Sequence, residues 1–445
     1  MNYCKRCLYP SNAKPGIILD DETGICSGCQ YHESREKQNW ADRADKLRML
    51  LESEKKKARD RNQPYDCIIP VSGGKDSHYQ VHLIKNVYGL NPLLVTFNHG
   101  FNTQLGIKNL NNLVAKLGCD LVRVTANLNS TKKIAKYMLQ QCGDITWHYH
   151  CGIRTTPFQV AVEKQIPLII WGEHGFAELT GMVALEEGVE FTQWTRLEHD
   201  MRGHTAESLV GHNGILESDI QPYIYPTEKE IKECGIRDLG LSDEEKEKAE
   251  KGVRGIYLSN FIDWNGKKQA EEMIDLYGFN VFEGKRDRTF LLYGKTDDHA
   301  NDVHDYLKYL KFGYGRATDD ASMEIRHGRM TREEGVKLVA EYDSNRPQTL
   351  DTYLDFLDIS EEEFESYIDN MRDTDIWKSY IRDGKKYWQV VDNVNCHLAD
   401  PGTEEARVKQ VEDRTFSEEN KDLYWNEKTW NDYKGEGLEK EFTVL

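Results

Sequence analysis

An apolar run at residues 65–71 stops at Ser72-Gly73-Gly74-Lys75-Asp76-Ser77, and an amphipathic stretch carrying Val81, Leu83, Ile84 and Val87 follows, up to Gly89. This order predicts a buried strand, a glycine turn and a helix closed by a glycine. Few folds accommodate such a junction. Two adjacent glycines let the main chain approach an anion closely with its amides turned toward it, and the helix start adds its dipole at the same point. Ser72 and Ser77 supply hydroxyls, Lys75 a cation, and Asp76 a carboxylate suited to Mg²⁺. The spacing is neither Gly-x-x-x-x-Gly-Lys-Ser/Thr nor the three-glycine dinucleotide fingerprint.

The same rhythm continues downstream. Strands are expected at 92–97, 120–124 and 167–171, and helices at 106–117 and 132–141. Strands alternating with helices imply βαβ units, hence an α/β fold with a doubly wound parallel sheet covered on both faces. Ligands of such sheets sit beyond the carboxyl ends of the strands, where 71–77, Thr96-Phe97-Asn98 and Gly172-Glu173 all fall.

Ahead of the sheet, Cys4-x-x-Cys7 and Cys26-x-x-Cys29 have zinc-ribbon spacing. A unit covering 1–40 cannot build an adequate core alone, so four thiolates closing on a structural Zn²⁺ are the expected staple, with no open position for catalysis. Residues 41–63 read as a connecting helix with Leu47, Leu50 and Leu51 at helical spacing. Ten cysteines in 445 residues, four of them so spaced, do not read as a disulfide scaffold. No run reaches the ~18 apolar residues of a membrane span, and no basic-then-apolar leader precedes the cysteines, so a cytoplasmic protein is expected. The net charge of −18 disfavours a polyanion such as tRNA as a partner.

Strand, Ser-Gly-Gly-Lys-Asp-Ser and helix together resemble the PP-loop ATP pyrophosphatases (the adenine nucleotide α-hydrolase-like fold). That resemblance implies ATP held by Val71, Ser72, Gly73, Gly74, Lys75, Asp76 and Ser77, with Ser72, Lys75, Asp76 and Ser77 carrying the chemistry as pyrophosphate leaves. It also implies adenine and ribose at Thr96, Phe97 and Asn98, with Gly172 and Glu173 facing the same crevice. Three stretches narrow the resemblance: the cysteine unit with Pro10 and Gly24, residues 71–77, and 305–334 with its Phe312-Gly313-Tyr314-Gly315-Arg316 core. Together they are similar to the bacterial N-acetyl sugar amidotransferases of surface-polysaccharide (lipopolysaccharide O-antigen) and nonulosonic-acid biosynthesis. The implied reaction transfers AMP to the carbonyl oxygen of an acetamido group and replaces that oxygen with ammonia, giving an acetamidino sugar. No glutaminase signature occurs in the chain, so the resemblance implies ammonia from separate partners, a glutaminase and a cyclase-like subunit resembling those of histidine biosynthesis.

The expected division is thus 1–40, the connecting helix, a PP-loop domain at 64–240, a mainly helical substrate region at 241–345 and an acidic region at 346–445. A nucleotide-linked or acidic sugar needs cations. Lys311, Arg316, Arg326 and Arg329 are candidates, beside the alternative that they make salt bridges on a helical surface. Cys151 and Arg154 lie in His150-Cys151-Gly152-Ile153-Arg154 near the crevice edge. Cys151 shapes the structure or the substrate site or, in an alternative reading as a tRNA-thiolating enzyme, carries persulfide.

Overall fold

Strict alternation of side chains along short strands builds the sheet. The structure, a computed structural model, describes residues 1–14, 16–236, 242 and 252–391; residues 392–445 of the acidic region lie outside the described residues. Strands β1 (Cys67–Pro70), β2 (Pro92–Asn98), β3 (Leu121–Thr125), β4 (Leu168–Trp171) and β5 (Arg254–Tyr257) form one parallel sheet in the order β3-β2-β1-β4-β5. Ile68, Leu93, Val95, Ile169, Trp171 and Tyr257 pack on one face, against Phe158, Val160 and Ala161. Cys67, Ile69, Leu94, Leu168, Ile170 and Ile256 pack on the other, against Leu47, Leu51, Leu110, Leu113 and Leu117. Period-two alternation with both faces covered is the signature of a doubly wound sheet, and each fully buried aliphatic side chain contributes roughly 1.5–3 kcal/mol.

The helices follow their local signals. Helix α1 (Ser27–Glu36) closes the cysteine unit and α2 (Trp40–Asp60) is the connecting helix. Helix α3 (Lys75–Val81) leaves the glycine loop and runs on as a π-helical turn, His82–Val87. Helix α4 (Gln104–Leu117) starts on the Thr103 hydroxyl, which accepts the Gly106 N–H, and ends on left-handed Gly118. Helix α5 is Leu128–Cys142. Helix α6 (Trp147–Lys164) was not legible from periodicity, because it is buried on nearly every side and carries Pro157. Strand β5 falls inside the stretch expected to be mainly helical, since four residues are too few to show a period.

Beyond the short α7 (Gly175–Thr180), α8 (Glu228–Glu233) and α9 (Gly266–Tyr277), the chain forms α10 (Ala300–Phe312), α11 (Arg316–Arg326), α12 (Arg332–Tyr342), α13 (Thr349–Leu357) and α14 (Glu361–Asp369). An antiparallel hairpin, β6 (Trp377–Arg382) and β7 (Lys385–Val390), turns on Asp383-Gly384, both at positive φ. Tyr306, Leu310, Tyr353, Phe364 and Trp377 share one core with Ile134, Met138 and Trp147, which locks these helices onto the sheet layer. Among the described residues, no helix is long and apolar enough to cross a membrane.

Candidate active site at the reversal of strand order

The strand order reverses between β1 and β4, so the loops leaving their carboxyl ends part and open a crevice. The loop after β1 is Val71 to Ser77, and the loop after β4 starts at Gly172-Glu173. Gly73 sits at φ +91°, and a Cβ there would lie 2.8 Å from the Leu110 amide nitrogen, so the turn needs glycine on both counts. The Ser72 N–H donates to Ser77 Oγ at 3.0 Å and the Gly74 N–H to Ser72 Oγ at 3.3 Å, which holds the loop in a closed ring. Gly172 admits Gln80, whose Nε2 would lie 2.2 Å from an added Cβ.

Two cavities meet at this loop. One, about 320 Å³, extends over the ends of β1, β2 and β4 and is lined by Val71, Ser77, Thr96, Phe97, Arg154 and Gly172. The other, about 410 Å³, runs under the C-terminal helices and is lined by Lys75, Trp264, Tyr293, Arg316, Asp320 and Arg329. Ser72, Asp76, Glu173, Lys295 and Asp297 belong to both walls. Lys75 Nζ lies 2.6 Å from Asp76. Burial opposes the Lys75 charge, but Asp76 and Glu173 outweigh it and hold its pKa above the usual lysine value. Burial, helped by the Asp76 charge, raises Glu173 against the pull of Lys75. Burial pushes Asp320 up to about 6 against Arg316 and the Thr289 hydroxyl. Hard carboxylate oxygens beside a phosphate cradle are the donor set Mg²⁺ takes, and Asp76 fits it.

The other candidate residues divide. Arg154 lines the smaller cavity; its Nε lies 2.8 Å from Asp200 and its guanidinium stacks over Trp171 at 4.9 Å. Arg316 and Arg329 line the larger cavity, each held by carboxylates: Asp305 grips Arg316 at 2.8 and 2.9 Å, and Glu324 grips Arg329 at 2.6 Å on both nitrogens. Asn98 lines neither cavity. Its side chain braces the turn after β2, accepting the Gly100 N–H and donating to Thr125 Oγ1.

Three expectations are corrected. Lys311 is buried away from both cavities and donates to the carbonyls of Cys142 and Gly143 at 3.0 Å, capping α5; burial drops its pKa to about 8. Arg326 turns its guanidinium to the carbonyls of Glu178 and Leu179, both at 2.9 Å, and to Cys26 Sγ at 3.6 Å. Cys151 is 1% exposed, its thiol donates to the Tyr223 carbonyl at 3.5 Å, and burial pushes it up to about 12, so it is no accessible thiolate. In each case the residue type is plain in the sequence, whereas the direction of the side chain relative to the cleft is not.

The four N-terminal cysteines converge as spaced. Their Sγ atoms all lie within 4.8 Å of one another, with Cys4–Cys29 at 3.9 Å and Cys7–Cys26 at 3.5 Å. Tetrahedral zinc with Zn–S near 2.3 Å demands an S–S edge of about 3.8 Å, so the donor set fits the metal. The Arg6 and Cys26 amides donate to Cys4 Sγ at 3.4 and 3.3 Å, the kind of support a thiolate draws from its surroundings.

Sequence reasoning missed Lys295, Asp297, Tyr293, Trp264 and Asp320. Only Asp320, inside the 305–334 stretch, stood near a signal; the rest come from segments without a motif. Residues 279–394 match the family described as "LPS biosynthesis protein WbpG-like, C-terminal domain". No curated protein matched the sequence. Solved structures with partial likeness include an NH3-dependent NAD synthetase from Campylobacter jejuni (13% identity, 34% of this chain and 63% of that one, TM-score 0.24). An NMN synthetase from Francisella tularensis matches at 12% identity over 56% of this chain and 99% of its own (TM-score 0.25). The U34-tRNA thiolase NcsA from Methanococcus maripaludis matches at 14% over 74% and 87% (TM-score 0.25). The C-terminal part of the chain is therefore similar to the WbpG-like domain of lipopolysaccharide biosynthesis, set against a parallel sheet with a glycine loop at the reversal of its strand order.

Proposed function

We propose that this chain is an ATP-dependent amidotransferase that adenylylates the acetamido oxygen of an N-acetyl sugar and replaces that oxygen with ammonia, in surface-polysaccharide assembly. The observation that carries this reading is the origin of the larger cavity's wall. Thr289, Tyr293, Lys295, Arg316, Asp320 and Arg329 all come from the WbpG-like stretch, and they line the same cavity as Ser72, Gly74, Lys75 and Asp76 of the glycine loop. The nucleotide lies in the smaller cavity, its adenine near Thr96 and Phe97, its β and γ phosphates on Ser72 to Ser77. Trp264 and Tyr293 offer the larger cavity flat apolar surfaces that suit a sugar ring.

The reaction needs little covalent help from the protein. The amide oxygen attacks the α-phosphorus, and the bond to the bridging oxygen breaks with its electron pair leaving as pyrophosphate. Loop amides and Lys75 stabilise that departing charge. Asp76 would hold Mg²⁺, which when bound neutralises phosphate charge. Ammonia then adds to the imidate carbon, AMP departs, and the transferred nitrogen and its protons remain on the sugar as an amidinium. Ammonia is supplied by separate glutaminase and cyclase-like partners. The buried thiol of Cys151 speaks against the tRNA-thiolating alternative.

The test is AMP release with a panel of free and nucleotide-linked acetamido sugars, ammonium and Mg²⁺. AMP and pyrophosphate should form in equal amounts with at least one of them, and Asp76→Ala should cut the rate at least about 100-fold. No AMP from any of them, or an Asp76→Ala variant as active as the parent, would overturn the reading.

A further inference from the structure

Six lysine and arginine side chains line the two cavities; Lys267 borders only the larger one, and four others are already committed. Lys75 is paired with Asp76, Arg154 with Asp200, Arg316 with Asp305, and Arg329 with Glu324. Lys295 differs on three counts. It lines both cavities, it makes no ion pair among the described residues, and it stands exposed at their junction with Glu173 and Asp297. Its backbone sits at φ +51°, a left-handed conformation that a lysine adopts only when its surroundings impose it.

Those surroundings are identifiable. Arg286 donates to the carbonyls of Leu291 at 2.9 Å and Lys295 at 3.2 Å, and also to that of Gly294. On the other side, Thr103 donates through its hydroxyl to the Thr296 carbonyl and through its N–H to the Asp297 carbonyl at 3.2 Å. Gly106 of α4 lies so close that a Cβ there would be 2.5 Å from Asp297 Cα. The segment bearing Lys295 is thus clamped to the loop after β2, the loop that borders the nucleotide cavity. A strained residue fixed on both sides, with its charged end at the seam of two cavities, is placed for one group common to both.

On the proposed adenylylation, that group is the α-phosphate, which must sit between the nucleotide cavity and the acceptor cavity. We infer that Lys295 contacts the α-phosphoryl oxygens and stabilises them as the amide oxygen bonds to phosphorus and pyrophosphate leaves, while itself neither gaining nor losing a proton.

The full chain tests this with Lys295→Ala, Lys295→Arg and Lys295→Gly. Calorimetric titration with AMP and, separately, with magnesium pyrophosphate needs no sugar, so it remains informative even where the amidotransferase reading fails. Lys295→Ala should bind AMP at least tenfold more weakly, with pyrophosphate affinity and melting temperature unchanged. In turnover, kcat should fall about 100-fold with the KM for ATP within threefold, and Lys295→Arg should recover part of it. Lys295→Gly, which relieves the backbone but lacks the charge, should behave like the alanine variant. Unchanged AMP binding, equal loss of AMP and pyrophosphate binding, or wild-type behaviour of the glycine variant would overturn the assignment.

Discussion

The guanidinium of Arg326 lies 3.6 Å from Cys26 Sγ and 2.9 Å from the carbonyl of Glu178, so one side chain joins the cysteine centre to the helix that borders the larger cavity. Arg35 makes a second tie from the cysteine unit, reaching Glu178 at 3.0 Å. The N-terminal unit is therefore a brace for the cleft, built through charge opposite thiolate and carbonyl. Removing Arg326 leaves buried thiolates and carbonyls without their donor. Arg326→Ala should lower unfolding stability by about 3 kcal/mol in urea, and chelating zinc that has been loaded onto the four cysteines should do at least as much. A variant as stable as wild type would refute the brace.

Gly73 is the left-handed turn of the glycine loop. Alanine at φ +91° is strained, and its Cβ would press on Leu110 at the main-chain nitrogen, which cannot swing aside. Gly73→Ala should weaken magnesium pyrophosphate binding at least tenfold by calorimetry. The thermal midpoint should change by only a few degrees. Gly74, whose Cβ would meet nothing nearer than Ser72 Oγ at 3.4 Å, should tolerate alanine better.

Asp320 gives a pH signature. Its carboxyl moves from the usual carboxylate value up to about 6 on folding because burial disfavours the ion. The folded state therefore holds a proton that the unfolded state has lost, and stability falls as pH rises from about 4 to 6. Asp320→Asn should flatten that part of the stability curve, by at most about 3 kcal/mol across the window. Identical slopes for the two proteins would remove burial as the cause.

Cys151 separates the two enzyme classes. Buried against Thr155 and Tyr223, it touches neither cavity, so Cys151→Ser should keep AMP formation within about threefold of wild type. Alkylating reagents should leave it unmodified in the native state. Rapid labelling at Cys151, or complete loss of activity in the serine variant, would revive sulfur transfer.

Legibility followed locality. The glycine loop and both cysteine pairs were readable because each packs its chemistry into contiguous residues whose spacing is the geometry. The strands at 92–98 and 168–171 were readable because apolar runs bounded by turn residues leave few alternatives. Arg326 and Lys311 sit among basic residues, a setting that suits substrate cations or surface salt bridges alike, yet each points inward to satisfy carbonyls, and a long cation at a helix end can turn either way without changing the spacing. Lys295 and Trp264 were invisible for a different reason. They reach a loop about two hundred residues earlier only through the β2 and β5 connections, which no local pattern encodes.

The central claim is that the oxygen lost by the sugar leaves on AMP. Incubating the enzyme with an acetamido sugar labelled with ¹⁸O in its carbonyl, together with ATP, Mg²⁺ and ammonium, tests it directly by mass spectrometry of the products. One labelled oxygen should appear in the phosphate of AMP and none in pyrophosphate or water. Label in water or phosphate, or AMP of natural mass alongside an amidine product, would contradict adenylylation of the amide.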